Sequence, residues 1–295
     1  MSRDLRHRVL VITGASSGIG AATAVEAGRA GMRVVLAARR QSRLEEVADQ
    51  VRRAGGEARV VPTDVADTPQ IDALFDQAVD HFGGVDALFA NAGYGWFAPT
   101  THDLGETESH LWQVNYFGAV HALRRAADLM QRQGHGHLLV CSSIVARSGL
   151  PYSGTYAATK AALHAMTVSM QLELAPDGID VSCVYPGATD TEFHARVRSK
   201  CGRDPTTGDT PRMFVTSPRG VARRVVRCLR RPRPEVWPSR LDHAAAVLWS
   251  AFPRFRTFCF RFQADKARRA WQQVRDTSRH ETLSATEEAR TPPGK

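Results

Sequence analysis

Long apolar runs are missing from this sequence, and cysteine is scarce and scattered. No uninterrupted apolar stretch reaches the roughly 18–20 residues that cross a bilayer, so no spanning helix is expected. The amino-terminal stretch MSRDLRHRVLVITG has only a short apolar run that leads directly into a glycine turn, which excludes an ordinary signal peptide. Five widely spaced cysteines, an odd number, suit neither a disulfide framework nor a zinc site. Cys141 and Cys183 fall inside apolar strand-like runs and are expected as buried, reduced thiols, which fits a cytoplasmic protein. The G-x-S-x-G frame of a hydrolase nucleophile is also lacking, since Ser142 and Ser143 stand in CSSI. His135 and His137 in GHGH have no partner cluster and read as loop residues beside a turn, so no metal is expected.

What is present suits a globular protein: 295 residues, 43% hydrophobic and 23% charged, can bury a sizeable core. The charge is uneven. Residues 191–295 hold 23 Lys and Arg against 10 Asp and Glu, whereas residues 1–190 hold 16 against 20. A near-neutral body therefore carries a basic carboxy-terminal third, which suggests an element working at a membrane surface or a polyanion. No nucleic-acid recognition motif accompanies the charge, so nucleic acid is not an expected partner.

Short apolar runs alternate with helical patterns through the first 190 residues. RVLVIT, RVVLAA, ARVVPTDV, VDALFANAG, GHLLVCSS and IDVSCVYPG are six strand candidates, each separated from the next by an amphipathic or small-residue helix. Such βα repetition implies an α/β fold, a doubly wound parallel sheet in a three-layer α/β/α arrangement. Residues 1–237 form this domain, and PRGVARRVVRCLRRP (218–232) is a helix able to pack on it. Residues 238–295 read as a basic, amphipathic helical extension, broken at Pro253, with a polar distal end expected to fray.

Between the first strand and its helix lies TGASSGIG. Gly14, Gly18 and Gly20 permit a tight turn, and with Ser16, Ser17 and Ile19 they bring a dinucleotide pyrophosphate to the free N–H groups of a helix start. The second strand ends VVLAARR, with Ala38 where an acid would hold a ribose hydroxyl and Arg39 and Arg40 following. Guanidinium matches a 2′-phosphate, so NADP(H) is favoured over NAD(H). Asp64, followed by Val65, either meets the adenine amino group or caps the next helix.

In SGTYAATKAALHAM, Tyr156 and Lys160 lie four residues apart and share one helix face. A phenol near pKa 10 is a poor proton exchanger at neutral pH. A neighbouring ammonium is expected to lower that value and let Tyr156 act as acid or base.

Together these features resemble the short-chain dehydrogenase/reductase family across residues 5–235. TGASSGIG reads as that family's glycine pattern, Asn91-Ala92-Gly93 as its strand-end motif, and Asn115 in VNYFG as its helix asparagine. Ser143, Tyr156 and Lys160 match its Ser-x12-Tyr-x3-Lys pattern, and Pro186-Gly187 with Thr191 match its later cofactor loop. Ala90 departs from the asparagine often found before the strand-end motif. The resemblance implies a Rossmann-type fold and hydride transfer between NADP(H) and a carbonyl or alcohol. It implies Tyr156 as proton donor and Lys160 as ribose anchor. Ser143 would donate to the substrate oxygen, and Asn115 would position a water toward Lys160. It further implies a homodimer or homotetramer through the small-residue helix around Ala157, Ala158, Ala161 and Ala162.

Tyr94, Trp96, Phe97, Phe193, Met213 and Phe214 either line an apolar substrate pocket or anchor loops, and a lipophilic ketone, aldehyde or secondary alcohol is the expected substrate. The aromatic and arginine-rich stretch LDHAAAVLWSAFPRFRTFCFRF either contacts an anionic membrane or docks on its own protein. A non-catalytic NADP(H)-binding scaffold at a membrane is the alternative function, and the complete Asn115, Ser143, Tyr156 and Lys160 set argues against it.

Overall fold

The structure, a computed structural model, describes residues 2–193, 197 and 215–288. Its centre is a seven-stranded parallel sheet in the order β3-β2-β1-β4-β5-β6-β7. The strands are β1 (Val9–Thr13), β2 (Arg33–Ala38), β3 (Glu57–Pro62), β4 (Ala87–Ala90), β5 (Gly136–Cys141), β6 (Ile179–Val184) and β7 (Glu235–Val236). Because side chains alternate along a strand, Val9 and Val11 of β1 enter one core and Leu10 and Ile12 enter the other. Helices α1 (Gly18–Arg29), α2 (Gln41–Arg53) and α7 (Pro218–Arg230) cover the second face. The first is covered by α3 (Thr68–Phe82), α5 (Gly118–Gln133) and α6 (Gly154–Glu173). This is the expected three-layer arrangement, and α7 packs on α1 as its apolar stripe of Val221, Ala222, Val225 and Val226 requires.

Six strands match the apolar runs of the sequence. The seventh, β7, has only two residues between Pro234 and Pro238, too few to show a period, and it is held in register by Cys183 opposite Glu235 and Val184 opposite Val236. The helical stretch at 106–133 is also divided. It consists of α4 (Glu106–Trp112), a five-residue π segment (Gln113–Phe117) and α5, and Asn115 sits within the π segment.

The carboxy-terminal extension is two helices, α8 (Arg240–Ala251) and α9 (Pro253–Glu288). Ser239 caps α8 by accepting from the Asp242 N–H at 3.2 Å, and Pro253 breaks the chain between them as expected. α9 continues to Glu288, through the stretch read from its polarity as fraying, because its Ala, Arg, Gln and Glu residues favour helix.

His137 is a correction to the sequence reading: it lies in β5 rather than in a loop, and it is 2% exposed. Its Nε2 meets Ser182 Oγ at 2.8 Å, and Ser182 in turn donates to the Arg233 carbonyl at 2.6 Å. The imidazole is therefore the donor to Ser182, and its buried Nδ1 has no partner among the described residues. Burial, with a smaller contribution from Arg3, holds its pKa down at about 3. The unfolded chain takes up the proton that the folded chain refuses, so this contribution to stability is complete above about pH 6.5 and is lost as pH falls toward 3. His137→Gln keeps a donor to Ser182 and removes the titration. Urea unfolding at pH 6.5 and pH 5 should show the wild type losing on the order of 2 kcal/mol more than the variant over that interval.

Candidate active site

The strand order reverses at β1, so β1 and β4 leave a crevice at their carboxyl ends. That crevice is locked by reciprocal hydrogen bonds. Thr13 Oγ1 accepts from the N–H groups of Asn91 at 3.0 Å and Ala92 at 3.1 Å, and Asn91 Nδ2 donates to the carbonyls of Thr13 at 3.0 Å and Gly14 at 3.3 Å. Gly14 has φ of 68°, and a Cβ there would lie 2.8 Å from the Cα of Ala92. A Cβ on Gly20 would fall onto the Gly14 carbonyl oxygen. Gly18, also at positive φ, rests against Thr191. Ser17 precedes α1 in an extended conformation without a side-chain capping bond, which leaves the first-turn N–H groups for an anion. Ser16, Ile19, Ala92, Gly93, Pro186 and Gly187 complete this wall of a cavity of about 1010 Å³.

At the far end of the glycine turn, Arg40 donates to Ser16 Oγ at 3.3 Å and pairs with Glu192 at 3.0 Å. Arg39 stands 3.8 Å from Asp64. Capping of α3 falls to Asp67, which accepts from the Gln70 N–H, so the capping role open to Asp64 belongs elsewhere. Asp64 instead accepts from the Ala66 N–H at 3.0 Å and, with Val65, Arg39 and Arg40, borders the cavity.

Ser143, Tyr156 and Lys160 converge on the same cavity. Lys160 is 4% exposed, its Nζ donates to the Cys141 carbonyl at 2.9 Å and lies 5.9 Å from the centre of the Tyr156 ring. Burial pushes the Tyr156 phenol up from its ordinary value, Cys141 adds to the rise, and a hydrogen bond with Ser143 opposes it. The direction is opposite to the expected lowering, because desolvation of the phenolate dominates. Lys160 is itself held below the usual lysine value by burial. Ser143 Oγ makes only long bonds to the backbone, 3.4 Å to the Pro186 carbonyl and 3.4 Å from the Val145 N–H, so its hydroxyl is weakly committed there.

Asn115 is fully buried, and its amide pairs with the backbone of Tyr94 in both directions. Oδ1 accepts from the Tyr94 N–H at 2.9 Å, while Nδ2 donates to the Tyr94 carbonyl at 2.9 Å and to Thr159 Oγ1 at 3.2 Å. A Cβ on Gly93 would meet Asn115 Oδ1 at 3.0 Å and Lys160 Nζ at 3.2 Å, so those two polar groups face one small space.

Comparison with known proteins agrees with this geometry. The family model for short chain dehydrogenases matches residues 8–202. An uncharacterized oxidoreductase of Bacillus subtilis is 30% identical over 255 residues, 85% of this chain and 71% of its own length. A Drosophila melanogaster dehydrogenase/reductase SDR family protein 7-like is 31% identical over 79% of this chain and 73% of its own. A Burkholderia phymatum short-chain dehydrogenase/reductase solved in complex with NAD superposes with a TM-score of 0.74 at 28% identity, covering 83% of this chain and 94% of that one. The chain belongs to the short-chain dehydrogenase family.

As a short-chain dehydrogenase it is an oxidoreductase, and its glycine cradle and open α1 terminus fit a nicotinamide dinucleotide. One part of its site had no motif to announce it. Leu241, Asp242, Trp249, Phe260 and Lys266 of the extension line the same cavity as Tyr156. Asp242 is 9% exposed, its Oδ2 lies against Gly187 without a hydrogen-bond partner among the described residues, and burial pushes its carboxyl up. Of the aromatic residues expected at the pocket, Tyr94, Trp96, Phe97 and Phe193 border it, and the Phe193 ring is 5.6 Å from that of Tyr156. Phe97 also anchors α9, stacked on Tyr152 and edge-on to Trp271. Met213 and Phe214 lie outside the described residues.

Asn115→Ala should remove the two hydrogen bonds that the Asn115 amide makes with the Tyr94 backbone. Urea unfolding should show a loss of about 1–3 kcal/mol, and an unchanged midpoint would mean that the strut carries no weight.

Proposed function

We propose that this short-chain dehydrogenase transfers hydride between NADP(H) and a lipophilic carbonyl or secondary alcohol, with Tyr156 as general acid and base. The observation that carries the reading is the convergence of Ser143, Tyr156 and buried Lys160 on one cavity that also contains the glycine cradle. The nicotinamide supplies the hydride when bound.

Burial keeps Tyr156 protonated at neutral pH, which suits a proton donor to a carbonyl oxygen. Ser143, loosely held by the backbone, turns its hydroxyl to that same oxygen and stabilises the charge developing there. Lys160 Nζ lies 5.9 Å from the centre of the Tyr156 ring, where its ammonium favours the tyrosinate left after donation, and the same Nζ would hold the cofactor ribose. Asn115 fixes the Tyr94 backbone beside them and borders the space through which water reaches Lys160. Asn91, Ala92, Gly93, Pro186, Gly187 and Thr191, which border the cavity, would hold the nicotinamide half, and Asp64 and Val65 the adenine half.

Arg39 and Arg40 support the 2′-phosphate. Arg40 reaches Ser16 and Glu192, and a phosphate between the two arginines would replace carboxylate partners with a stronger anion. An alcohol dehydrogenase of the archaeon Thermococcus sibiricus, solved with 5-hydroxy-NADP, is 32% identical over 79% of this chain and 96% of its own, with a TM-score of 0.68. It lends weight to the alcohol/carbonyl pair. Trp96, Phe97, Phe193, Trp249 and Phe260 make the substrate end apolar. Exposed Phe117, Val168 and Leu172 on the α5–α6 side support a homodimer or homotetramer.

Tyr156→Phe should lower turnover on the order of a hundredfold or more while NADPH still quenches protein fluorescence with its original affinity; unchanged turnover removes Tyr156 from the chemistry. NADPH should bind more tightly than NADH, with Arg40→Ala narrowing the gap, and equal affinities in the wild type would refute the phosphate site. Because reduction needs the protonated phenol and oxidation the phenolate, carbonyl reduction should stay level from neutral pH into the alkaline range while alcohol oxidation climbs. Leu172→Arg should lower the mass measured by light scattering.

A further inference from the structure

The extension also has an outward face beyond the side that walls the cavity. Seven of the ten large hydrophobic side chains exposed on the described residues lie between 241 and 262: Leu241, Val247, Leu248, Phe252, Phe255, Phe258 and Phe262. Phe258 and Phe262 are 74% and 76% exposed, far beyond what a phenylalanine packed against its own chain would show. Phe255, Phe258 and Phe262 are spaced i, i+3 and i+7, so they form one stripe on α9. Leu241, Leu248 and Phe252 form the matching stripe on α8, and at the Pro253 elbow Leu248, Phe252 and Phe255 open a shallow apolar notch of about 500 Å³.

The flank of that stripe is basic. Arg254, Arg261 and Arg268 recur every seven residues along α9, all exposed, about a quarter-turn from the phenylalanines. None of the three has an ion pair among the described residues. Residues 253–272 contain six bases and one acid, Asp265. Aromatic bulk flanked by arginine, on a helix with no run apolar enough to cross a bilayer, has the chemistry of a helix lying in the headgroup region of an anionic membrane.

Two of the exposed residues also belong to the cavity. Phe262 and Leu241 line the same space as Tyr156, as do Trp249 and Phe260, which pack against each other at 5.0 Å between the two helices. The apolar face and the mouth of the pocket are thus continuous.

We propose that the α8–α9 face docks on an anionic lipid surface, with Phe255, Phe258 and Phe262 in the acyl boundary and Arg254, Arg261 and Arg268 on the headgroups, so that the pocket opens directly into the bilayer. The substrate is then a carbonyl or alcohol dissolved in lipid, a consequence that rests on the function proposed above; the docking does not. A second copy of the chain is the competing occupant. Its basic flank would meet an identical basic flank, whereas anionic headgroups match it in charge.

Flotation of the full-length protein tests the docking without any turnover. Wild-type protein should float with vesicles of phosphatidylcholine containing about 30 mol% phosphatidylglycerol, and much less with phosphatidylcholine alone or at high salt. Phe255→Ser with Phe258→Ser should weaken binding roughly a hundredfold, about tenfold per phenylalanine withdrawn, with far-UV circular dichroism and thermal midpoint unchanged. Arg254→Gln with Arg261→Gln should weaken binding to the anionic vesicles and leave the weak binding to neutral ones. Wild type remaining at the bottom of the gradient with anionic vesicles overturns the proposal, as does a double-serine variant that floats equally well. A wild-type assembly that the serine variant dissolves, with no flotation by either, overturns it in favour of a copy-to-copy interface.

Discussion

The site depends on the clamp between the ends of β1 and β4. Thr13 receives two N–H groups from the Asn91–Ala92 turn, and Asn91 returns two bonds to the Thr13–Gly14 backbone. Four bonds across two strand ends fix the glycine turn at the point where the sheet changes direction. Glycine at 14 and 20 is then a steric requirement, since any Cβ there would occupy the clamp itself. The same turn continues into Gly93 and Tyr94, whose backbone is held by Asn115. The glycine turn and the segment from Asn91 to Tyr94 are therefore held by one connected set of hydrogen bonds, from β1 through β4 to the π segment.

Electrostatics in this frame are governed by burial more than by charge pairing. Lys160 and Tyr156 are neighbours, yet the phenol is pushed up because water is kept from it, and the lysine is pushed down for the same reason. Both shifts favour the uncharged forms. In such a pair, a negative charge on the phenol would make the nearby lysine hold its own proton more firmly. The titrations of Tyr156 and Lys160 are then coupled, and their apparent pKa values belong to the pair.

The parts of this architecture that were legible in the sequence are those with a period or a fixed spacing. Six strands showed as apolar runs, the cradle as TGASSGIG, and the Tyr156–Lys160 pair as a four-residue step on a helix. β7 was not legible, since two residues between prolines carry no period. Nor was the π segment, because Asn115 fits a helical pattern equally well whether the turn is α or π. The sign of the Tyr156 shift was misread for a related reason: spacing reports which charges are near, and desolvation depends on the packing around them. His137 was misplaced because two histidines separated by a glycine resemble a loop, while its alternate neighbours in β5 are what bury it.

The extension shows how a general catalytic frame becomes a particular one. Its first turn presents Asp242, whose carboxyl fills the space beside Gly187 that a side chain at 187 would need. The loop at Gly187 and α8 are thus fitted to each other, and neither can change size independently. Farther along, α9 is pinned by Ala267 and Trp271 against Phe97, a residue that also borders the cavity. The two helices of the extension, anchored beside the cavity, form one of its walls. Trp249, Phe260 and Phe262 make that wall aromatic, so a strongly hydrated substrate would lose water there without replacement bonds. Ser143, Tyr156 and Lys160 form a polar cluster in the same cavity. The extension thus adds both aromatic surface and two ionisable side chains, Asp242 and Lys266, to a cavity whose other walls come from the strand ends.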